Sequence, residues 1–212
     1  MSRPSRGTDL LLIKAALKLL PGSGFSSLKM RAVAKEAGVN LGMFHYHFKN
    51  KDEFTERVLE NMYEEFFTKF KGDVSSCDDA ETKLRTAIRF IAGFVAHNRT
   101  LIQSLIKDAM NGNREVIKFL SANLPRHVGI MVDALDDYKK AGKIGAMRQE
   151  EALMFLMLSV IGPIFMSRVL NFLGVLDNRK EKGVINAGEP AAIATRIDIA
   201  LDAISKKGRV EK

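Results

Sequence analysis

Hydrogen-bonding side chains crowd into the run Asn40-Leu41-Gly42-Met43-Phe44-His45-Tyr46-His47-Phe48-Lys49-Asn50-Lys51. Imidazole, phenol and ammonium groups at this density can hydrogen-bond to phosphate oxygens and base edges, and Met43 can meet a thymine methyl. Metal ligation is the competing chemistry. His45 and His47 are two residues apart, so on a helix they occupy different faces and make a poor metal pair. The sequence also lacks a nucleophile elbow, a phosphate-binding glycine loop and a cluster of metal-ligand residue types. An enzyme is therefore not expected, and neither a cofactor nor a metal site is called for.

Charge favours the phosphate reading. The chain carries a net +8 over 212 residues. Residues 1–51 hold nine Lys and Arg (Arg3, Arg6, Lys14, Lys18, Lys29, Arg31, Lys35, Lys49, Lys51) against Asp9 and Glu36, a surplus of +7. The other residues are nearly neutral. A basic patch confined to one short segment is what polyanion binding requires, although a solvated basic face would look the same by composition.

Helices must position these groups. Leu12, Ala15, Ala16, Leu19 and Leu20 form one stripe, predicting a helix over 9–20 that ends at Pro21-Gly22. A second helix is expected over 28–37, with Ser27 as its cap, Met30, Val33, Ala34 and Ala37 inward and Gly38 as its stop. A third runs from a cap at Asn40 to about His47. Two short helices joined by the Ala37-Gly38-Val39-Asn40 turn describe a helix-turn-helix. Phe44 and Phe48, four apart, would face the core. Gly42, Met43, His45 and Tyr46 would then face outward, with His47 at the edge. Lys51 opens a fourth helix, where backbone N–H groups also favour a phosphate. Lys29 and Arg31 open the second.

The text from Leu12 to Glu60 resembles the DNA-binding domain of TetR-family regulators. Gly24-Phe25, Arg31-Ala32-Val33-Ala34, Ala37-Gly38-Val39, Gly42, Tyr46-His47-Phe48 and Lys51 carry the likeness in order and spacing. The resemblance implies DNA contacts from Lys29, Arg31, Asn40, Leu41, Gly42, Met43, His45, Tyr46, His47 and Lys51. Met43 and His45 stand where the family often has threonine and tyrosine, and Leu41 where it has lysine, so the base sequence read is this chain's own.

Helical periodicity continues to the C-terminus, with helices expected over 52–71, 79–97, 99–110, 113–122, 124–141, 149–174 and 190–206 and a loop over 177–189. The fold class is all-α: a three-helix DNA-binding domain over 1–51 and a larger helical domain over 52–212. The resemblance assigns effector binding and dimerisation to the second domain. The segment from Ala152 to Met166 is apolar nearly all round but short of the ~20 residues that span a bilayer, so it reads as a buried core helix and no membrane is expected. One cysteine, Cys77, fits a reducing cytoplasm.

The resemblance also implies a homodimer with a symmetric four-helix interface, from the 149–174 helix and the last helix, reading a palindrome of double-stranded DNA. Phe90, Phe94, Phe119, Met131, Phe155 and Met157 could line a cavity for a small apolar effector, with His97, Asn98, His127 and Tyr138 as polar contacts. Such stripes are as readily plain core, so no effector-binding residue is assigned. Two functions stay open: a ligand-responsive repressor, and a DNA-binding protein without an effector that acts architecturally or through a protein partner.

Overall fold

A computed structural model describes residues 7–145, 147–175 and 186–205. These fold into nine α-helices: α1 (Thr8–Ser27), α2 (Met30–Glu36), α3 (Leu41–His47), α4 (Lys51–Ser75), α5 (Ala80–His97), α6 (Arg99–Met110), α7 (Arg114–Lys140), α8 (Gln149–Phe172) and α9 (Pro190–Ile204). The all-α expectation holds. The loop expected over 177–189 falls mostly outside the described residues.

Two compact units share the chain: Met1–Phe67 with Thr100–Pro125, and Thr68–Arg99 with Arg126–Lys212. In the first, α1, α2 and α3 pack on one another. Leu12, Ala15, Ala16 and Leu20 of the α1 stripe are buried, with Phe25, Leu28, Val33, Ala34, Phe44, Phe48 and Phe54. Phe44, Phe48 and Phe54 form a ring cluster, with centroids 4.8–5.5 Å apart.

Three local expectations are corrected. α1 does not stop at Pro21-Gly22, because Pro21 lies inside the helical run and Ser23 donates its hydroxyl to the Leu19 carbonyl. The break comes at Gly24 (φ 69°, ψ 170°), backbone that only glycine adopts without strain. Ser27 caps nothing, since Lys29 occupies the N-cap of α2 and no side chain bonds there. Pro125 lies within α7, a single helix where the sequence pattern predicts two.

In the second unit, α5, α8 and α9 pack pairwise. An ion-pair cluster at one end joins Glu81 to Arg85 and Lys143, and Arg85 to Asp198 on α9. Within this one chain α8 is covered on one side. Ala152, Leu156, Val160, Ile164 and Ser167 make one buried arc. The opposite arc exposes Met154, Leu158, Met166, Val169 and Leu173. By length and composition alone, Gln149–Asn171 could also cross a membrane, contrary to the expected shortfall. Its buried arc against α5 and α9 is that of a helix in a protein bundle.

Candidate nucleic-acid interface

α3 owes its position to its two ends. At the start, the Asn40 side-chain oxygen accepts the Met43 N–H at 3.0 Å. At the other end, Phe44 and Phe48 drive into the ring cluster. Gly38, with φ +69°, makes the turn between α2 and α3, where a side chain would be strained. The Val39 N–H then bonds back to the Ala34 carbonyl at 3.0 Å.

This anchoring turns the remaining face outward. Gly42, His45 and Tyr46 are exposed, with Tyr46 at 67%. Leu41, Met43 and His47 are half-buried. Lys29 and Arg31 are exposed at the start of α2. Lys29, Arg31, Lys35 and Lys49 have no ion-pair partner among the described residues, whereas Lys18 is paired with Glu36. Cations without protein partners keep their donors available for phosphate oxygens.

Three predicted contact residues have local work as well, and a fourth has one edge buried. Asn40 spends its oxygen on the cap, so its amide N–H groups are what it can offer to DNA. Gly42, an expected point of close backbone approach, has a second role. A Cβ there would stand 3.1 Å from the Asn40 oxygen, so the bare backbone makes room for the cap. Lys51 donates from Nζ to the Ser26 carbonyl at 2.8 Å, which ties the start of α4 to the last turn of α1. His47 buries its Nε2 without a hydrogen-bond partner, so its buried edge is not the one that faces a phosphate.

Asp108 is a structural support of this unit that sequence reading missed. It is only 4% exposed on α6, and its Oδ2 accepts the Phe25 N–H at 2.7 Å. The break at Gly24 orphans that N–H, and the carboxylate satisfies it. Asn113 reaches the same turn by donating to the Ser26 hydroxyl at 3.3 Å. The available signal was an acid amid the apolar positions Leu101, Leu105 and Met110.

Comparison with known proteins fits this geometry. Residues 12–58 match the family described as bacterial regulatory proteins, tetR family. Over that segment the chain is similar to transcriptional regulators of the tetR family. The match covers α1 to α3 and the start of α4, the elements that build the exposed face. The fatty acid metabolism regulator protein of Bacillus subtilis is 23% identical over 144 residues, 67% of this chain and 73% of its own. The structure of FadR from Bacillus subtilis in complex with stearoyl-CoA superposes with a TM-score of 0.65 at 17% identity, covering 92% of this chain and 97% of that one. A TetR transcription regulator from Haloarcula marismortui reaches 0.69 at 16% identity, covering 93% and 98%. At these identities the structural likeness speaks for the fold. The chain spans between 34% and 54% of the length of the first curated relatives it matches.

The residues that could line an effector cavity differ in burial. Phe119 and Met131 are buried, Phe90, Phe94 and Met157 half-buried, and Phe155 exposed. A groove in the second unit is lined by none of these six, although His97 borders it. Asn98 bonds to the Phe94 carbonyl, and Tyr138 is buried. His127 is half-buried, and desolvation pushes its pKa below the usual imidazole value.

Proposed function

We propose that this protein is a ligand-responsive repressor that binds a palindromic operator as a homodimer. The DNA-binding part lies within residues 1–51, with effector binding and dimerisation within 52–212. The observation that carries the reading is the divided α3. Phe44 and Phe48 hold its inner face, while Gly42, Met43, His45 and Tyr46 are left to meet base edges in a major groove. Lys29, Arg31, His47 through its open edge, and Lys51 set the register on the backbone, with Leu41 and Asn40 at the helix start.

Dimerisation is supported by the exposed apolar arc of α8 and by Ile199 on α9, 63% exposed. A second copy that covered this arc would remove a contiguous apolar strip from water. It would also supply the second reading helix, about 34–36 Å away on a twofold operator. An effector with an apolar part is supported by the acyl chain of the stearoyl-CoA bound by the FadR neighbour. Effector binding would favour a dimer geometry that no longer fits the half-site spacing.

The test is binding to the intergenic DNA beside the chain's own gene across a salt series. The expected result is saturable binding to a palindrome that weakens steeply with salt. Met154→Glu with Leu158→Glu should give monomers in sedimentation and lose operator binding while keeping the helical circular-dichroism signal. Binding that ignores sequence and salt, or a double variant that remains dimeric, would sink the reading. A thermal-shift screen with acyl thioesters tests the effector arm.

A further inference from the structure

Within the second unit, the C-terminal half of α5, the start of α6 and the turn leading into α9 enclose an open groove of about 530 Å³. That volume suits a small organic molecule rather than a bare ion. Arg89, Gly93, Ala96 and His97 line it from α5, Arg99 from α6, and Asn186, Gly188, Pro190 and Ile193 from the α9 side. The groove is built into the fold. Arg89, Gly93 and His97 recur every four residues, so they share one helix face. A Cβ on Gly93 would meet nothing within 4 Å, so its absence leaves the middle of the groove open. A Cβ on Gly188 would fall 3.1 Å from that of Ala96, so glycine lets the α9 turn close onto α5. Arg196 pins the same turn by donating to the carbonyls of Ala187 and Val160.

The lining is cationic. Two guanidinium groups and an imidazole border the groove, and no carboxylate lines it. Arg89, His97 and Arg99 have no ion-pair partner among the described residues. The acid on the rim, Glu189, accepts a hydrogen bond from Asn186 at 3.1 Å. α9 begins with Pro190 and has no side-chain cap, so the free N–H groups of its first turn add positive potential at the same end. Ala96 and the buried Ile193 supply an apolar floor.

We propose that this groove binds a small organic anion carrying a phosphate group. Its dianionic head sits between the forks of Arg89 and Arg99, and its organic part lies over Gly93 and Ile193. Two guanidinium charges match a dianion, and the planar fork suits bidentate contact with phosphate oxygens. The site lies outside the DNA-binding face and does not depend on the chain being a repressor.

The test is calorimetric titration of the full chain, without DNA, using phenyl phosphate, benzoate and benzyl alcohol as probes. The expected result is one saturable site per chain for phenyl phosphate, weaker binding of benzoate and none of benzyl alcohol. Arg89→Ala should weaken phenyl phosphate about tenfold or more, a loss of about 1.4 kcal/mol. Arg99→Lys keeps the charge without the fork and should weaken it as well. Gly93→Leu should abolish binding by filling the groove, with the helical signal intact. Lys139→Ala removes an exposed charge at the end of α7 and should leave the affinity unchanged. The proposal is overturned if phenyl phosphate does not saturate, or if Lys139→Ala weakens it as much as Arg89→Ala. It is equally overturned if Arg31→Ala abolishes binding while Arg89→Ala does not.

Discussion

Replacing Asp108 by alanine should loosen the turn that ends α1. The carboxylate is 4% exposed and accepts the Phe25 N–H at 2.7 Å. Alanine leaves that buried N–H without a partner, which costs about 1–3 kcal/mol. Removing a carboxylate from a buried position offsets part of this, so a net loss of about 2 kcal/mol is expected. For a chain of this size that lowers Tm by about 4–8 °C. Asp108→Asn keeps an oxygen in place and should lose less. A double-mutant cycle isolates the contact. Gly24→Ala suffers twice in the parent, from its positive φ and from a Cβ 3.1 Å from the Asp108 oxygen. With Asp108→Ala already made, only the backbone strain remains. The second substitution should therefore do less harm there than in the parent, by about 0.5 kcal/mol or more. Thermal and urea unfolding of the four proteins measure this. A Tm within about 1 °C of the parent for Asp108→Ala, or strict additivity in the cycle, would refute the account of the turn.

Asn40→Ala should cost about 1 kcal/mol through loss of the α3 cap. Asn40→Asp should keep that stability yet weaken operator binding, because its charge faces phosphates; equal binding by the parent and the Asn40→Asp variant would remove Asn40 from the interface. Arg31→Ala should weaken binding to all sequences alike and shallow the salt slope by about one unit in filter-binding titrations. Phe44→Ala should cost about 3–5 kcal/mol by opening a cavity beside Phe48 and Phe54, visible as a lost unfolding transition. Glu81 gives a pH prediction. Hydrogen bonds from Lys143 and then Arg85 hold its carboxyl below the usual value of 4.5. Its stabilisation is therefore complete above that value and fades as pH falls through the lowered one. The Tm gap between the parent and Glu81→Gln should be constant above about pH 5.5 and narrow as pH falls below the usual carboxyl value; a gap that does not change with pH would argue that the pair does not hold the carboxylate.

How much was legible beforehand follows from which forces act locally. Periodicity located the helical segments, although it split α7 in two at Pro125, because an apolar stripe at 3.6 residues is needed wherever a helix packs on one side. Asn40, Gly38 and the Phe44–Phe48 pair were readable for the same reason: a cap, a positive φ and an i,i+4 face are all properties of a few adjacent residues. Pro21 misled because a proline's local cost can be absorbed by its surroundings, and the true break lay at Gly24, three residues on. Asp108 was invisible because its partner is 83 residues away, and nothing near Leu105 or Met110 announces an orphaned N–H at Phe25. The exposed side of α8 was unreadable for a related reason. A helix apolar all round specifies that it be covered but not by what, and only the packing of α5 and α9 against one arc reveals that the other is left open. The same distinction applies at α3. The sequence there determines which face of α3 is left outward, since Phe44 and Phe48 leave one choice, but what Met43 and His45 would meet on that face is a partner that the chain does not contain.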